Sequence, residues 1–531
     1  MTSNKSNFRA TSWLNNAIFF TVLLSVVFLH SYKLDTIPLG LFFDESTIGI
    51  HASDIVKTRF DNYNNQPPIY FKSEFDYDSP ILIYTTALFF KIFGISEYTL
   101  RLPNVFFFVI ALISTVLLVN KIFNGNKVVQ IYLLIAYGFL PQFFTFSRLS
   151  FEVISQLAFV SLAFLCIWYT FHQPDFSKTN GYLKALICGV IIGISTYTYS
   201  TASLLSAMLM ASTLILYRDR KNWGKLLILI ASCLIALIPY TFFSLTNPGA
   251  LTFRFHEISF IYQTIPLIEK IKIFFINYFS NWSLKFLIFH GDMNLRHSTG
   301  IGGMVFISVF LLFILGLINV SFTKKWNNFS ILLLVNLFFT PAASALTSEG
   351  NPHAIRSLLM GYFITLLSSY GLSYLLALKN KQVRNILVIA TFITTSYESY
   401  RYQFDYFFHY PARSVEDFGS FNLYGALEFA IEHSPNEIIL FDNYTGGMDT
   451  LILYSRIIDT PENILISASS HPTPKVGSCI IYRRLTDAEA ELNNSTISFE
   501  EFRSRYRPSD TERKFGVEAF SGLIKARCYS D

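Results

Sequence analysis

The chain has 531 residues, of which 52% are hydrophobic, 17% aromatic and only 15% charged, with a formal net charge of +5. Soluble globular domains carry about 25% charged residues, so this composition excludes an ordinary soluble protein and points into the lipid bilayer. No basic, aromatic-interleaved patch accompanies the positive charge, which excludes nucleic acid as a partner.

Apolar runs long enough to cross roughly 30 Å of hydrocarbon recur along the chain. In order they cover 14–31, 102–120, 128–147, 153–171, 183–199, 202–217, 226–245, 304–322, 329–346, 355–378 and 385–400. The expected architecture is therefore a polytopic α-helical membrane protein with about eleven transmembrane helices. The first run has the length of a signal peptide, but no small-residue cleavage site follows it and further spans do, so an uncleaved helix is expected. A further run, 81–93, is short and ends in Lys91.

Whether 81–93 crosses decides the sidedness of everything after it, and the basic residues arbitrate. If it lies along the surface, the inner segments hold Lys5 and Arg9, then Lys121/Lys127, Lys178/Lys184, Arg218/Arg220/Lys221/Lys225, Lys324/Lys325 and Lys379/Lys381/Arg384. The short outer turns then hold only Arg148 and Arg356. If it crosses, the basic turns after residue 100 all flip outward. The pattern predicts an interfacial amphipathic segment at 81–93, an inner N-terminus and an outer C-terminus. Two long loops, 32–80 and 246–303, and the polar turns 148–152, 197–201 and 347–357 then share the outer face.

Two domains are expected: a membrane domain over 1–401 and a small extracytoplasmic α/β domain over 402–531, where a helix-like stretch (Leu423–Glu432) precedes a strand-like one (Glu437–Phe441). Cys166, Cys188 and Cys233 lie in apolar runs without metal-ligand spacing and read as packing residues. Cys479 and Cys528 lie in the polar C-terminal region, where an oxidising compartment allows a disulfide.

Asp44 and Glu45 stand just beyond the first span, where burial raises a carboxylate's pKa and suits it to general-base work; ordinary loop acids are the plainer alternative. His290-Gly291-Asp292-Met293-Asn294-Leu295-Arg296-His297-Ser298 and Ser348-Glu349-Gly350-Asn351-Pro352-His353-Ala354-Ile355-Arg356-Ser357 concentrate polar groups before two other spans. Arg296 and Arg356 have the chemistry to hold a phosphate bidentately or to anchor headgroups. His297 and His353 are candidate metal ligands, but without His-x-x-His or His-x-His spacing interfacial hydrogen bonding is favoured. Arg148 and Glu152, four apart, suit a structural ion pair. Tyr197 and Tyr199 fit an aromatic belt or a sugar-stacking platform. There is no P-loop, no Gly-x-Gly-x-x-Gly after a strand, no nucleophile elbow and no His-Glu-x-x-His, so no nucleotide cofactor is expected.

Taken in order, these motifs resemble the dolichyl-phosphate-mannose protein mannosyltransferase-like family of GT-C glycosyltransferases, which includes lipid A aminoarabinose transferases. The resemblance is carried by Asp44-Glu45, Asp78-Ser79-Pro80-Ile81-Leu82-Ile83-Tyr84, Phe93-Gly94, Arg101-Leu102-Pro103, Ser147-Arg148 with Phe151-Glu152, Tyr197-Thr198-Tyr199-Ser200, Gly291-Asp292 through Ser298, and Pro352 through Ser357. It implies a polyprenyl-phosphate-linked sugar donor in the plasma (inner) membrane of a bacterium, with the active site outside. It implies Asp44 as catalytic carboxylate with Glu45 beside it, inversion at the sugar carbon, and a lipid, polysaccharide or protein acceptor. Lys72, Asp78, Arg148, Tyr197, Tyr199, Asp292, Arg296, His297, His353 and Arg356 are the implied donor-binding set. Many relatives carry Lys where this chain has Asp78, so Lys72, Arg296 or Arg356 is expected to supply that charge. A divalent cation held by Asp44 or Asp78 is a further candidate at the phosphate. Two other readings are a flippase of lipid-linked saccharides, which predicts charges at mid-span and broken helices, and an assembly protein docking through its C-terminal domain.

Overall fold

The computed structural model describes the chain except residues 1–2, 61–66, 74–75, 323–326, 349, 421–422, 434, 442–446, 470–474, 484–498, 502–523 and 530–531. Lys324, Lys325 and Glu349 fall outside the described residues. The chain divides into two compact units. The first comprises Met1–Tyr32, Pro67–Leu82 and Pro103–Gln403; the second comprises Lys33–Gln66, Ile83–Leu102 and Phe404–Asp531. The unit that holds the C-terminal segment thus also holds most of the first long loop, including Asp44 and Glu45.

Among the described residues, five helices are long and apolar enough to cross a membrane: Leu14–Ser31, Glu97–Ile122, Val153–Phe171, Asn328–Ala345 and Leu358–Leu376. Two bent pairs raise the number to seven if each is one span. The runs 128–147 and 226–245, expected as unbroken spans, are these pairs. The first breaks by 59° between Lys127–Gly138 and Pro141–Ser147; Pro141 has no N–H to continue the ladder and opens the second piece.

The second pair bends by 42° before Ile238–Thr246. Pro239 again removes a ladder hydrogen bond, and a side chain fills the gap. The Tyr197 hydroxyl donates to the Ala236 carbonyl at 2.8 Å and accepts from the Tyr240 N–H at 2.8 Å. Those two backbone groups would otherwise bond each other, so the bend is a hydroxyl inserted into the helix ladder. Shorter apolar helices occupy Pro80–Phe93, Ala202–Leu216 and Ile307–Ser321. Pro80–Phe93 has 14 residues, or about 21 Å at 1.5 Å per residue, short of the roughly 30 Å of hydrocarbon.

Helix pairs in the first unit meet at glycines, as expected where lipid offers no hydrophobic drive for association and close backbone approach must supply it. A Cβ added at Gly371 would lie 2.0 Å from the Leu312 carbonyl oxygen, and one at Gly316 would lie 2.1 Å from that of Leu367. Gly189 meets Ser232 and Leu229 in the same way. A two-stranded hairpin, β1 (Phe71–Lys72) and β2 (Tyr77–Asp78), pairs Phe71 with Asp78 and Lys72 with Tyr77.

The second unit contains a five-stranded sheet of β3 (Glu437–Phe441), β4 (Leu465–Ser469), β5 (Ser478–Arg483), β6 (Phe499–Glu501) and β7 (Ile524–Tyr529), in the order β4-β3-β5-β7-β6. β3 runs parallel to β4 and β5, while β7 runs antiparallel to β5 and β6. Helix Leu423–Glu432 precedes β3 at the positions read from the sequence. Cys479 and Cys528 face each other across β5 and β7 and are joined by a disulfide. Helix Phe43–Lys57 packs on helix Gly447–Ile458 through a Ser46–Thr450 hydrogen bond of 2.8 Å and an Arg456–Asp54 ion pair of 2.8 Å.

Candidate functional site

In the second unit, the adjacent carboxylates of Asp44 and Glu45 have different surroundings. Helix Phe43–Lys57 starts after Phe42, and Glu45, its third residue, turns back so that Oε2 accepts the Phe42 N–H at 3.2 Å. That bond satisfies an orphan donor of the first turn. Glu45 is wholly buried, and Arg101, also wholly buried, grips both of its oxygens: Nε to Oε1 at 2.8 Å and a terminal nitrogen to Oε2 at 3.0 Å. The remaining Arg101 donors reach the carbonyls of Leu34, Pro38 and Gly40 at 2.8, 3.2 and 2.6 Å. Arg101 thus gathers the loop that leads into the helix.

Asp44 is exposed in that first helical turn, where backbone N–H dipoles favour the ionised carboxylate. Glu45, expected beside Asp44 at the catalytic position, is thus enclosed and held on both oxygens by a guanidinium. Its contacts make it a frame for Asp44. In the sequence Arg101 stands out only as part of the Arg101-Leu102-Pro103 motif. A lone guanidinium in the first turns of a long apolar helix was the signal that it has a buried anion to meet.

In the first unit, the loops before two spans bring together Asp292, His297, Arg296, His353 and Arg356. Gly291 adopts φ of +69°, a left-handed turn that swings the chain into this loop. Asp292 is buried. Its Oδ1 accepts the Asn294 N–H at 3.0 Å, and its Oδ2 accepts the Ala354 N–H at 2.9 Å and lies 3.1 Å from His297 Nδ1. Burial alone would raise its carboxyl, but the His297 hydrogen bond and charge, with the Ala354 and Asn294 amides, hold it below the usual carboxylate range. The next peptide group is also held: Gln142 Nε2 donates to the Ala354 carbonyl at 2.8 Å.

The His353 ring lies 5.0 Å from that of His297. Burial, and then the charges of Arg356 and His297, push its imidazole well below the ordinary histidine value, with Asp292 opposing. His353 is therefore neutral at pH 7. Arg296 Nε is held by Asn294 Oδ1 at 3.1 Å and Arg356 by Thr347 Oγ1 at 2.9 Å, both side chains half-buried. One carboxylate, two imidazoles and two guanidiniums in one place can bind an anion or a metal ion.

Other expected site residues serve the frame. Arg148 is wholly buried and donates to the carbonyls of Leu29 and His30 at 2.8 and 3.1 Å, a cation on the C-terminal turn of helix Ser3–Ser31. These contacts tie it to the first helix, where the sequence suggested a donor-phosphate contact. Glu152 accepts the Ser79 N–H with Oε1, and Asn104 donates to the carbonyls of Leu149 and Phe151, so the 148–152 turn is tied down. Tyr197 is buried, stacks on Tyr70 at 6.1 Å between centroids, and has its hydroxyl in the helix bend; it offers no free face to a sugar, whereas Tyr199 is half-buried. Lys72 is exposed, and directly paired strand residues share a face. The hairpin register therefore puts Lys72 with Tyr77 and Asp78 with Phe71, on opposite faces.

Residues 78–243 match the family model described as dolichyl-phosphate-mannose-protein mannosyltransferase. No curated protein matches the sequence. Among solved structures, ArnT from Cupriavidus metallidurans is similar both in the apo state and bound to undecaprenyl phosphate, each with a TM-score of 0.57 and 11% identity over 98% of this chain and 98% of that one. The Archaeoglobus fulgidus oligosaccharyltransferase in the apo form is similar with a TM-score of 0.51 and 14% identity, over 86% of this chain and 65% of that one. The resemblance carried by the ordered motifs is borne out: residues 78–243 match that family's model, and the fold is similar to the folds of these two proteins.

Proposed function

We propose that this chain, with a mannosyltransferase-type segment on a GT-C fold, is a membrane glycosyltransferase that moves a sugar from a polyprenyl-phosphate donor to an acceptor hydroxyl. The family match over residues 78–243 carries the reading. One ArnT structure holds undecaprenyl phosphate, and that likeness supports a donor of the same lipid class. The proposed topology has about eleven spans with 81–93 along the surface. The reaction then takes place on the extracytoplasmic side of a bacterial plasma membrane, the side on which the Cys479–Cys528 disulfide is at home.

In the proposed reaction the acceptor O–H gives its proton to the Asp44 carboxylate as its oxygen bonds to the sugar C1. The C1–O bond to phosphate breaks, its electron pair leaves on the phosphate oxygen, and the configuration at C1 inverts. Arg296 and Arg356 are assigned to the charge that grows on the phosphate, which preorganised cations stabilise more in the transition state than in the ground state. Glu45 and Arg101 are assigned to positioning Asp44.

The experiment is transfer by purified, reconstituted protein supplied with radiolabelled undecaprenyl-phosphate sugars and a membrane extract as acceptor. Acceptor-dependent release of free undecaprenyl phosphate, with label on the acceptor, is the expected result. Movement of intact donor across the bilayer without release would replace the reading with a flippase.

A further inference from the structure

We infer that Asp292, His297 and His353 form a binding site for one divalent transition-metal ion of the zinc type. Two imidazoles and a carboxylate are a donor set that zinc takes in three-ligand sites, which leave a fourth position open. Here the candidate ligand atoms all lie within 4.8 Å of one another. Around zinc with bonds of about 2.0–2.1 Å, tetrahedral ligand atoms stand about 3.3 Å apart. The widest pair therefore needs to close by at most about 1.5 Å, and the ion takes the place of the 3.1 Å contact between His297 Nδ1 and Asp292 Oδ2.

His353 supplies a second, independent sign. Its Nδ1 is buried and has no hydrogen-bond partner, although buried polar atoms are ordinarily satisfied. A metal ion in the adjoining cluster gives the ring a partner. The supporting contacts are those that fix a ligand set in advance: the Ala354 and Asn294 amides orient the Asp292 carboxylate, and Ser298 Oγ donates to the Asp292 carbonyl at 2.6 Å. Gln142 Nε2 holds the carbonyl of Ala354, the residue that supplies one of those amides.

Arg296 and Arg356 act electrostatically on His353 and oppose a bare dication, so the open position takes an anionic oxygen. Identifying that oxygen with the donor phosphate rests on the proposed glycosyl transfer; the metal site does not.

The test uses the full chain without a histidine tag, stripped with chelator in detergent, loaded with Zn²⁺ or Co²⁺ and desalted. Elemental analysis should give about one metal per chain, and Co²⁺ should give the visible absorption of a four-coordinate site. His353→Gln and Asp292→Asn should each lower the metal content at least tenfold. If either variant fails to fold, X-ray absorption of the zinc-loaded wild type decides, with two imidazoles at about 2.0–2.1 Å expected. Loading far below one per folded chain, full loading in a folded His353→Gln, or a spectrum without imidazole would overturn the proposal. No donor or acceptor is present, so these outcomes are distinct from a failure of sugar transfer.

Discussion

Arg101→Met should be among the most damaging single substitutions in the chain. It removes a guanidinium that satisfies both oxygens of Glu45 and the carbonyls of Leu34, Pro38 and Gly40, with both side chains wholly buried. Removing one partner of a buried ion pair typically costs about 3–5 kcal/mol, because the other charge stays behind uncompensated. Each stranded carbonyl adds roughly 1–3 kcal/mol unless water reaches it. A loss of at least about 3 kcal/mol is therefore expected. Glu45→Gln should cost less, since its amide oxygen still accepts one Arg101 bond. The double variant Arg101→Met/Glu45→Leu should recover part of the loss, because no charge is left buried. The assay is reversible unfolding in detergent, read as a double-mutant cycle. Wild-type stability in Arg101→Met, or purely additive effects in the double variant, would refute the buried-pair account.

Other consequences are local. Gly371→Leu forces a side chain into the 2.0 Å approach to Leu312; a collapse in the yield of folded protein is expected, while Ile113→Leu, an exposed position, should leave it unchanged. Tyr197→Phe removes the hydroxyl bridging Ala236 and Tyr240; a loss of about 1–3 kcal/mol is expected, and a variant as stable as wild type would mean that the bend does not depend on that bridge. Burial pushes Asp76 from 3.8 up to about 6. The folded state then holds a proton that the unfolded state has lost, so stability falls as pH rises from about 4 to about 6. Asp76→Asn should therefore stabilise the protein at pH 8 and not at pH 3.5, as read by melting curves at both values.

The parts legible in the sequence are those carried by local pattern. Helix Leu423–Glu432 and strand Glu437–Phe441 fall where helical periodicity and a β-rich run put them. The long apolar helices appear because a span is a local property of composition. The breaks before Pro141 and Pro239 were averaged into single runs by hydropathy, although Pro in each run was the available sign. The fate of Glu45 was hidden because its partner Arg101 lies 56 residues away, outside any period. The polar cluster in the first unit was legible as two separate motifs. Asp292 meets the Ala354 amide across 62 residues, so no short-range histidine spacing could announce the set. The Asp44-Glu45 pair reads as two equivalent acids in sequence, and only the packing separates an exposed carboxylate from a buried one.

The most direct test of the account is sugar transfer by Asp44→Asn in the reconstituted assay, beside wild type. General-base catalysis typically contributes 10²–10⁴-fold, so transfer should fall at least a hundredfold while the size-exclusion profile and unfolding midpoint stay at wild-type values. Wild-type transfer by folded Asp44→Asn would contradict the assignment of Asp44 as the catalytic carboxylate.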